Sequence, residues 1–440
     1  MNYYSTNNQA PIADLHKAVV KGLAEDRGLY MPEKINKLPK EFFDNIEKMS
    51  FQEIAYTVAS AFFGEDVDPD ALHDIVYDTL QFDCPVVNVK DNIYTLELFH
   101  GPTLAFKDVG ARFMARLLQY FIKQENNHKE VNVLVATSGD TGSAVANGFL
   151  GVDGIHVYVL YPKGKVSPIQ ECQFTTLGKN ITAIEVDGVF DDCQALVKNA
   201  FMDAELNEHM KLTSANSINV ARFLPQAFYY FNAYARMKEI ANTQHLSPNT
   251  QLVMCVPSGN FGNICAALFG HEMGLPIKRF IAANNANDIF YNYLQTGKYE
   301  PKPSKQTLAN AMDVGDPSNF ARIYDLYGKS HAKITSLISG ATYSDEQIKA
   351  TMRECYKDSG YILDPHGACG YQALKDGLQA GEVGVFCETA HPAKFKEKVD
   401  DILGIDVEIP ERLAAFMRGQ KQSVPMSKDF ANFKDYLMRQ

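Results

Sequence analysis

One pattern constrains the fold more than any other feature, and it occurs twice. A short apolar run leads into a glycine-bearing turn, then a helical stretch, then a second apolar run. Residues 131–136 read as a buried strand, Thr137-Ser138-Gly139-Asp140-Thr141-Gly142 as a turn, 143–150 as a helix and 155–161 as the next strand. Residues 251–256, 257–263, 264–273 and 277–283 repeat the plan, and 181–186 and 383–387 add two more strand candidates. Units of this length predict parallel sheets joined by right-handed crossovers, hence an α/β chain. In such folds ligands collect at the carboxyl ends of strands. The first part of the chain differs. Phe51–Phe63 has helical apolar spacing, 64–69 is a turn and 71–80 is a second helix candidate. The expected organisation is an amino-terminal segment, 1–85, followed by a larger region, 86–440.

Length and charge narrow the function. A chain of 440 residues suggests two or three domains at roughly 150 residues each. It carries 42 basic and 53 acidic residues, a net charge of −11. That lacks the basic footprint of a nucleic-acid binder and the polybasic run of a peripheral membrane protein. No stretch approaches the roughly 18 apolar residues of a membrane span. The polar start shows no signal-peptide pattern, and the 8 cysteines include no CxxC pair, so reduced thiols in a cytoplasmic protein are expected, without a metal site.

Two turns are candidates for anion binding. Ser258-Gly259-Asn260-Phe261-Gly262-Asn263 follows a strand and opens a helix, where free backbone N–H groups attract a phosphate. It has no lysine and is not a P-loop. Ser138-Gly139-Asp140-Thr141 has the same placement at a second helix start. Asp140-Thr141-Gly142-Ser143 also spells the aspartic-protease signature, with Asp358-Ser359-Gly360 as a possible mate. A protease needs two such carboxylates in a symmetric β architecture, and a βαβ context argues against it. Lys107 lies in an apolar, turn-rich stretch between Phe99 and Met114. Partial burial lowers a lysine pKa and suits Schiff-base and base chemistry. A desolvated lysine together with a phosphate turn suggests pyridoxal 5'-phosphate.

The run from Leu96 to Asp108, Leu-Glu-Leu-Phe-His-Gly-Pro-Thr-Leu-Ala-Phe-Lys-Asp, resembles the cofactor-lysine segment of the threonine synthase family. Tyr3-Tyr4-Ser5-Thr6, Lys21-Gly22-Leu23-Ala24, the run 311–319 and Glu388-Thr389-Ala390-His391-Pro392-Ala393-Lys394-Phe395 resemble that family's other motifs, in order. The resemblance implies a pyridoxal-phosphate enzyme of the tryptophan-synthase-like fold type II, two α/β lobes with the cofactor between them. A small mobile lobe is expected at about 111–223. By resemblance, Lys107 carries the cofactor; Gly259, Asn260, Phe261, Gly262 and Asn263 cradle its phosphate; and Thr389 meets the pyridine nitrogen. Ser138, Gly139, Asp140 and Thr141 match the loop that grips the substrate carboxylate, with Asp140 where many relatives of the fold type have Asn. Ser217 and Arg222, in 216–222, match a segment that receives the substrate's phosphate. Lys163 and Lys165 read equally as extra positive charge or as solvated loop residues, and His366 and His391 as structural. The implied reaction converts O-phospho-L-homoserine and water to L-threonine and phosphate. The implied assembly is a monomer or weak homo-oligomer acting on a small molecule. Two other readings stay open: a lyase or dehydratase of the same fold type, and a catalytically dead binding protein.

Overall fold

The strongly apolar runs become the central strands. The computed structural model describes residues 1–125, 129–244, 246–247 and 249–440, in two compact units. The first comprises Met1, Met31–Phe106 and Phe223–Glu408; the second Asn2–Tyr30, Lys107–Arg222 and Ile409–Gln440.

The first unit holds a six-stranded sheet in the order Ile338–Thr342, Arg279–Asn284, Gln251–Pro257, Glu382–Glu388, Ile93–Glu97, Val86–Lys90. Its pairs are parallel except the edge hairpin Val86–Lys90 with Ile93–Glu97. Glu382–Glu388 is buried along its whole length, as a strand covered on both faces must be. It runs in register with Gln251–Pro257 on one side and Ile93–Glu97 on the other. Three carboxyl ends therefore lie side by side. They lead into the 258–263 turn, Thr389, and the arm 98–106 that ends at Lys107.

The second unit holds a parallel five-stranded sheet in the order Val424–Ser427, Ile181–Asp187, Ile155–Pro162, Val131–Ala136, Lys211–Ser214. Val131–Ala136 and Lys211–Ser214 are neighbours, so the 137–142 turn and the 215–222 segment leave adjacent strand ends. Asn216 Nδ2 donates to the Ala136 carbonyl at 3.2 Å and ties the two together. The amino-terminal helix Leu15–Lys21 braces this segment, because Asn219 Nδ2 donates to the Val19 carbonyl at 2.9 Å. At the other edge, the helix Phe430–Met438 buries Phe433 and Leu437 in the core of the sheet.

Several boundaries differ from the sequence reading, for local reasons. The helix expected at 143–150 is Asp140–Phe149, because Gly139, at φ 142°, takes the cap position. That expected at 71–80 is Pro69–Thr79; Asp68 accepts from Asp70 and Ala71 N–H groups, and Pro69 fills the first turn. The strand expected from 277 begins at Arg279, after the hydrogen-bonded turn Gly270–Leu275–Ile277. Among the described residues no helix is long and apolar enough to cross a membrane. All eight cysteines are free thiols.

Two close contacts support predictions. A Cβ on Gly148 would stand 2.9 Å from the Ala111 carbonyl carbon, on the helix Lys107–Gln124. Gly148→Ala is expected to cost about 1–3 kcal/mol by overpacking, read as a lowered urea midpoint. Buried Glu382 binds Arg279 at 2.6 Å and Lys278 at 2.9 Å, and the Arg279 guanidinium holds its carboxyl down at about 2 against 4.5. A depressed carboxylate pKa gives stability that is present above pH 4.5 and lost as pH falls toward 2. Glu382→Gln is expected to cost about 3 kcal/mol at neutral pH, with the difference from wild type vanishing across that acid window.

Candidate active site

In the first unit, the 258–263 turn is built by side chains that fold it on itself. Asn263 Oδ1 accepts from Ser258 Oγ at 3.0 Å, and Asn263 Nδ2 donates to the Pro257 carbonyl at 2.8 Å. Asn284 Nδ2 holds the Ser258 carbonyl at 3.0 Å. Outside the turn, Asn319 N–H donates to the Asn260 carbonyl at 3.1 Å. A Cβ on Gly259 would meet the Ala311 carbonyl oxygen at 2.5 Å. Phe261, with φ 64°, occupies the left-handed region and swings the chain into the helix Gly262–Glu272. Its ring packs on Phe290 at 4.6 Å, which holds that backbone in place.

The turn fits a phosphate on these observations. The N–H groups of Gly259, Asn260, Phe261 and Gly262 have no acceptor among the described residues. They stand at a helix start, where the dipole adds to their pull on an anion. The bare glycine backbone lets the anion approach.

Thr389 follows the central strand and is buried. Its carbonyl accepts from Phe106 N–H at 2.8 Å. Tyr229 Oη donates to the Phe106 carbonyl, and Lys394 Nζ, wholly buried, donates to the Thr103 carbonyl at 2.9 Å. Leu104 takes the left-handed conformation, φ 59°, inside this arm. The residue before Lys107 is thus gripped on both sides of its peptide. Lys107 is the first residue of its helix and is half-buried.

In the second unit, Lys107 Nζ donates to Thr141 Oγ1 at 2.8 Å, joining two residues singled out by sequence. Thr137 Oγ1 shapes the loop by accepting from Gly139 N–H at 2.9 Å and Gly142 N–H at 2.8 Å. Asp140 is buried, and Gln170 Nε2 donates to its Oδ1 at 3.0 Å. Gly139 packs so closely on Gln170 that a Cβ would lie 2.6 Å from its amide. Ser217 is half-buried. Arg222 is only 1% exposed, with its guanidinium donating to the Ala215 carbonyl. Lys163 and Lys165 are exposed. The protease reading fails on architecture. Asp140 opens a helix after a parallel strand, and Asp358 sits in the helix Asp345–Ser359, paired with Lys90 at 2.8 Å.

Several positioning groups escape a sequence reading. Gln170, Tyr229 and Asp364 carry no motif spacing of their own, and Thr137 and Glu388 stand in quoted motifs without any sign of their positioning roles; only burial and long-range pairing mark them. Glu388 is buried, and its carboxyl is pushed well above the usual range by burial and by Asp364. Asp313 is raised to about 6 by burial while accepting from Thr307 and Asn285. His391 is lowered to about 4 by burial, and its Nδ1 accepts from Ala393 N–H at 3.0 Å.

Known proteins match the chain from end to end. Residues 82–387 match the family described as pyridoxal-phosphate dependent enzyme. Residues 2–80 match threonine synthase N terminus, and 367–437 match threonine synthase, C-terminal. Threonine synthase of Haemophilus influenzae is 43% identical over 439 residues, covering 100% of each chain. The crystal structure of threonine synthase from Escherichia coli superposes with TM-score 0.92 at 43% identity, covering 100% of each chain. The pyridoxal-phosphate-bound threonine synthase from Brucella melitensis gives TM-score 0.91 at 33% identity, covering 100% of this chain and 99% of that one. The α/β fold is that of fold type II pyridoxal-phosphate enzymes. By its matched family segments and its full-length likeness, the chain belongs to the threonine synthase family of pyridoxal-phosphate-dependent enzymes.

Proposed function

We propose that this enzyme converts O-phospho-L-homoserine and water to L-threonine and phosphate. The observation that carries the reading is the half-buried Lys107, its ammonium on Thr141 at 2.8 Å and its peptide anchored at Phe106. When bound, pyridoxal 5'-phosphate supplies an electron sink for bonds broken at the substrate's α-carbon. Lys107 would hold the cofactor. Gly259, Asn260, Phe261, Gly262 and Asn263 would bind its phosphate, and the Thr389 hydroxyl would meet its ring nitrogen.

The chain's own groups then move protons. Lys107, once free, takes the proton from the substrate α-carbon and relays protons at Cβ and Cγ. The Cγ–O bond breaks, and phosphate leaves with the electron pair. Cγ gains a proton, water delivers its hydroxyl to Cβ and gives up its other proton, and Cα regains a proton from Lys107. Ser138, Gly139, Asp140 and Thr141 orient the substrate carboxylate. Gln170 supports Asp140 in this role, since its amide donor offsets the carboxylate's negative charge. Ser217 and Arg222 receive the phosphate. A guanidinium already stripped of water gains more from an anion than an exposed one does.

Residues 1–85 form the family's amino-terminal segment, 86–440 the catalytic region, and about 111–223 a small lobe that moves on substrate binding. The enzyme works in the cytoplasm as a monomer or weak homo-oligomer.

Incubation with O-phospho-L-homoserine is expected to release threonine and phosphate in equal amounts. Phosphate with 2-oxobutyrate and no threonine would make the enzyme a phospholyase instead. Lys107→Ala is expected to cut turnover by at least about 10³-fold and to abolish the visible absorbance of lysine-bound cofactor; retained turnover would remove Lys107 from the chemistry. Arg222→Ala is expected to lower kcat/KM for phosphohomoserine by about 10²-fold. An unchanged value would take Arg222 out of the substrate site.

A further inference from the structure

We propose that His366, oriented by Asp364, is a positioning residue for the cofactor-phosphate turn, acting through Ala311. The inference rests on the reading that the 258–263 turn holds the phosphate.

The hydrogen bonds assign the ring's state. A backbone N–H only donates, so His366 Nε2 accepts from Ala311 N–H at 3.1 Å. The ring proton then sits on Nδ1 and is donated to Asp364 Oδ2 at 2.5 Å. Both residues are buried, His366 at 2% and Asp364 at 0% exposure. Asp364 is fixed in turn. Its Oδ1 caps the helix Pro365–Gly377 by accepting from Gly367 N–H at 2.7 Å, and its own N–H donates to Glu388 Oε1 at 2.6 Å. The ring also packs on Phe395 at 5.1 Å. The chain Glu388–Asp364–His366 therefore ends on one backbone N–H, that of Ala311.

The carbonyl of the same residue, in the next peptide, is a wall of the turn. The Ala311 carbonyl oxygen stands 2.5 Å from the point where Gly259 would carry a Cβ, and Met312 Cα stands 3.1 Å from it. The rest of the segment is fixed separately. Asp313 accepts from Thr307 and Asn285, and Asn319 N–H donates to the Asn260 carbonyl. His366 sets the height of Ala311 over Gly259, and so where the Gly259 and Asn260 N–H groups stand. Losing its acceptor leaves a part-buried N–H unpaired, which the segment relieves by shifting toward or away from Gly259.

The test separates phosphate binding from general stability. The full-length protein, stripped of cofactor, is titrated with pyridoxal 5'-phosphate and with pyridoxal, which lacks the phosphate. His366→Ala is expected to weaken pyridoxal 5'-phosphate binding about tenfold and pyridoxal binding by less than about twofold. His366→Phe keeps the ring packing but has no acceptor, and the same split is expected if the alanine variant fails to fold. His366→Gln, whose amide oxygen restores an acceptor, is expected to recover most of the affinity. Wild-type affinity in both the alanine and phenylalanine variants would overturn the proposal, and so would equal losses for the two ligands. Gly259→Val is the control. If it leaves pyridoxal 5'-phosphate binding unchanged, the phosphate-turn reading itself falls. If it abolishes binding while the His366 variants bind normally, only the role of His366 falls.

Discussion

The hydrogen bond from Phe106 N–H to the Thr389 carbonyl anchors the end of the arm that precedes Lys107. It continues the pairing of the central strand beyond its own end. Leu98 N–H binds the Glu388 carbonyl, Ala105 bridges Ala390, and His391 N–H binds the Leu104 carbonyl. The arm thus behaves as an irregular extra strand on a fully buried edge. It includes one left-handed residue, Leu104, at a cost that the surrounding bonds cover. Lys394 and Tyr229 fill the remaining acceptors at Thr103 and Phe106. The pairing fixes the chain up to Phe106, the residue before Lys107.

The legible parts of the sequence were those whose signal is local. Val131–Ala136 and Glu382–Glu388 are continuous apolar runs because both faces of a parallel strand are covered, and the reading placed them within a residue of the structure. Lys211–Ser214, Ile338–Thr342 and Val424–Ser427 were not legible. They are short, carry Lys, Thr, Ser, Gly or Pro, and exist as strands because a neighbour offers them a ladder. The site divides in the same way. The glycine turn and the lysine announce themselves by residue type and spacing. Tyr229, 123 residues from the carbonyl it holds, and Gln170, 30 residues from Asp140, have meaning only once the chain is folded. Arg222 was read as a phosphate partner from its motif, and nothing local in the sequence signals that its guanidinium is buried.

The strand Glu382–Glu388 carries a buried glutamate at each end, and their surroundings push the two carboxyls in opposite directions. Glu382, at the amino end, faces Arg279 and Lys278, and that attraction outweighs the cost of burial, so it stays ionised. Glu388, at the carboxyl end, faces Asp364 and Glu97, so burial and like charge act together and favour the protonated acid. At the amino end a full ion pair locks the sheet and disturbs nothing else. The carboxyl end leads to Thr389 and lies beside the strand that opens the 258–263 turn. A fixed negative charge there would oppose an anionic ligand through a medium that screens poorly. A neutral carboxyl still accepts the Asp364 N–H, and so still fixes Asp364 and His366, without that repulsion. That end of the strand is therefore held by hydrogen bonds to Asp364 rather than by an ion pair like that of Glu382.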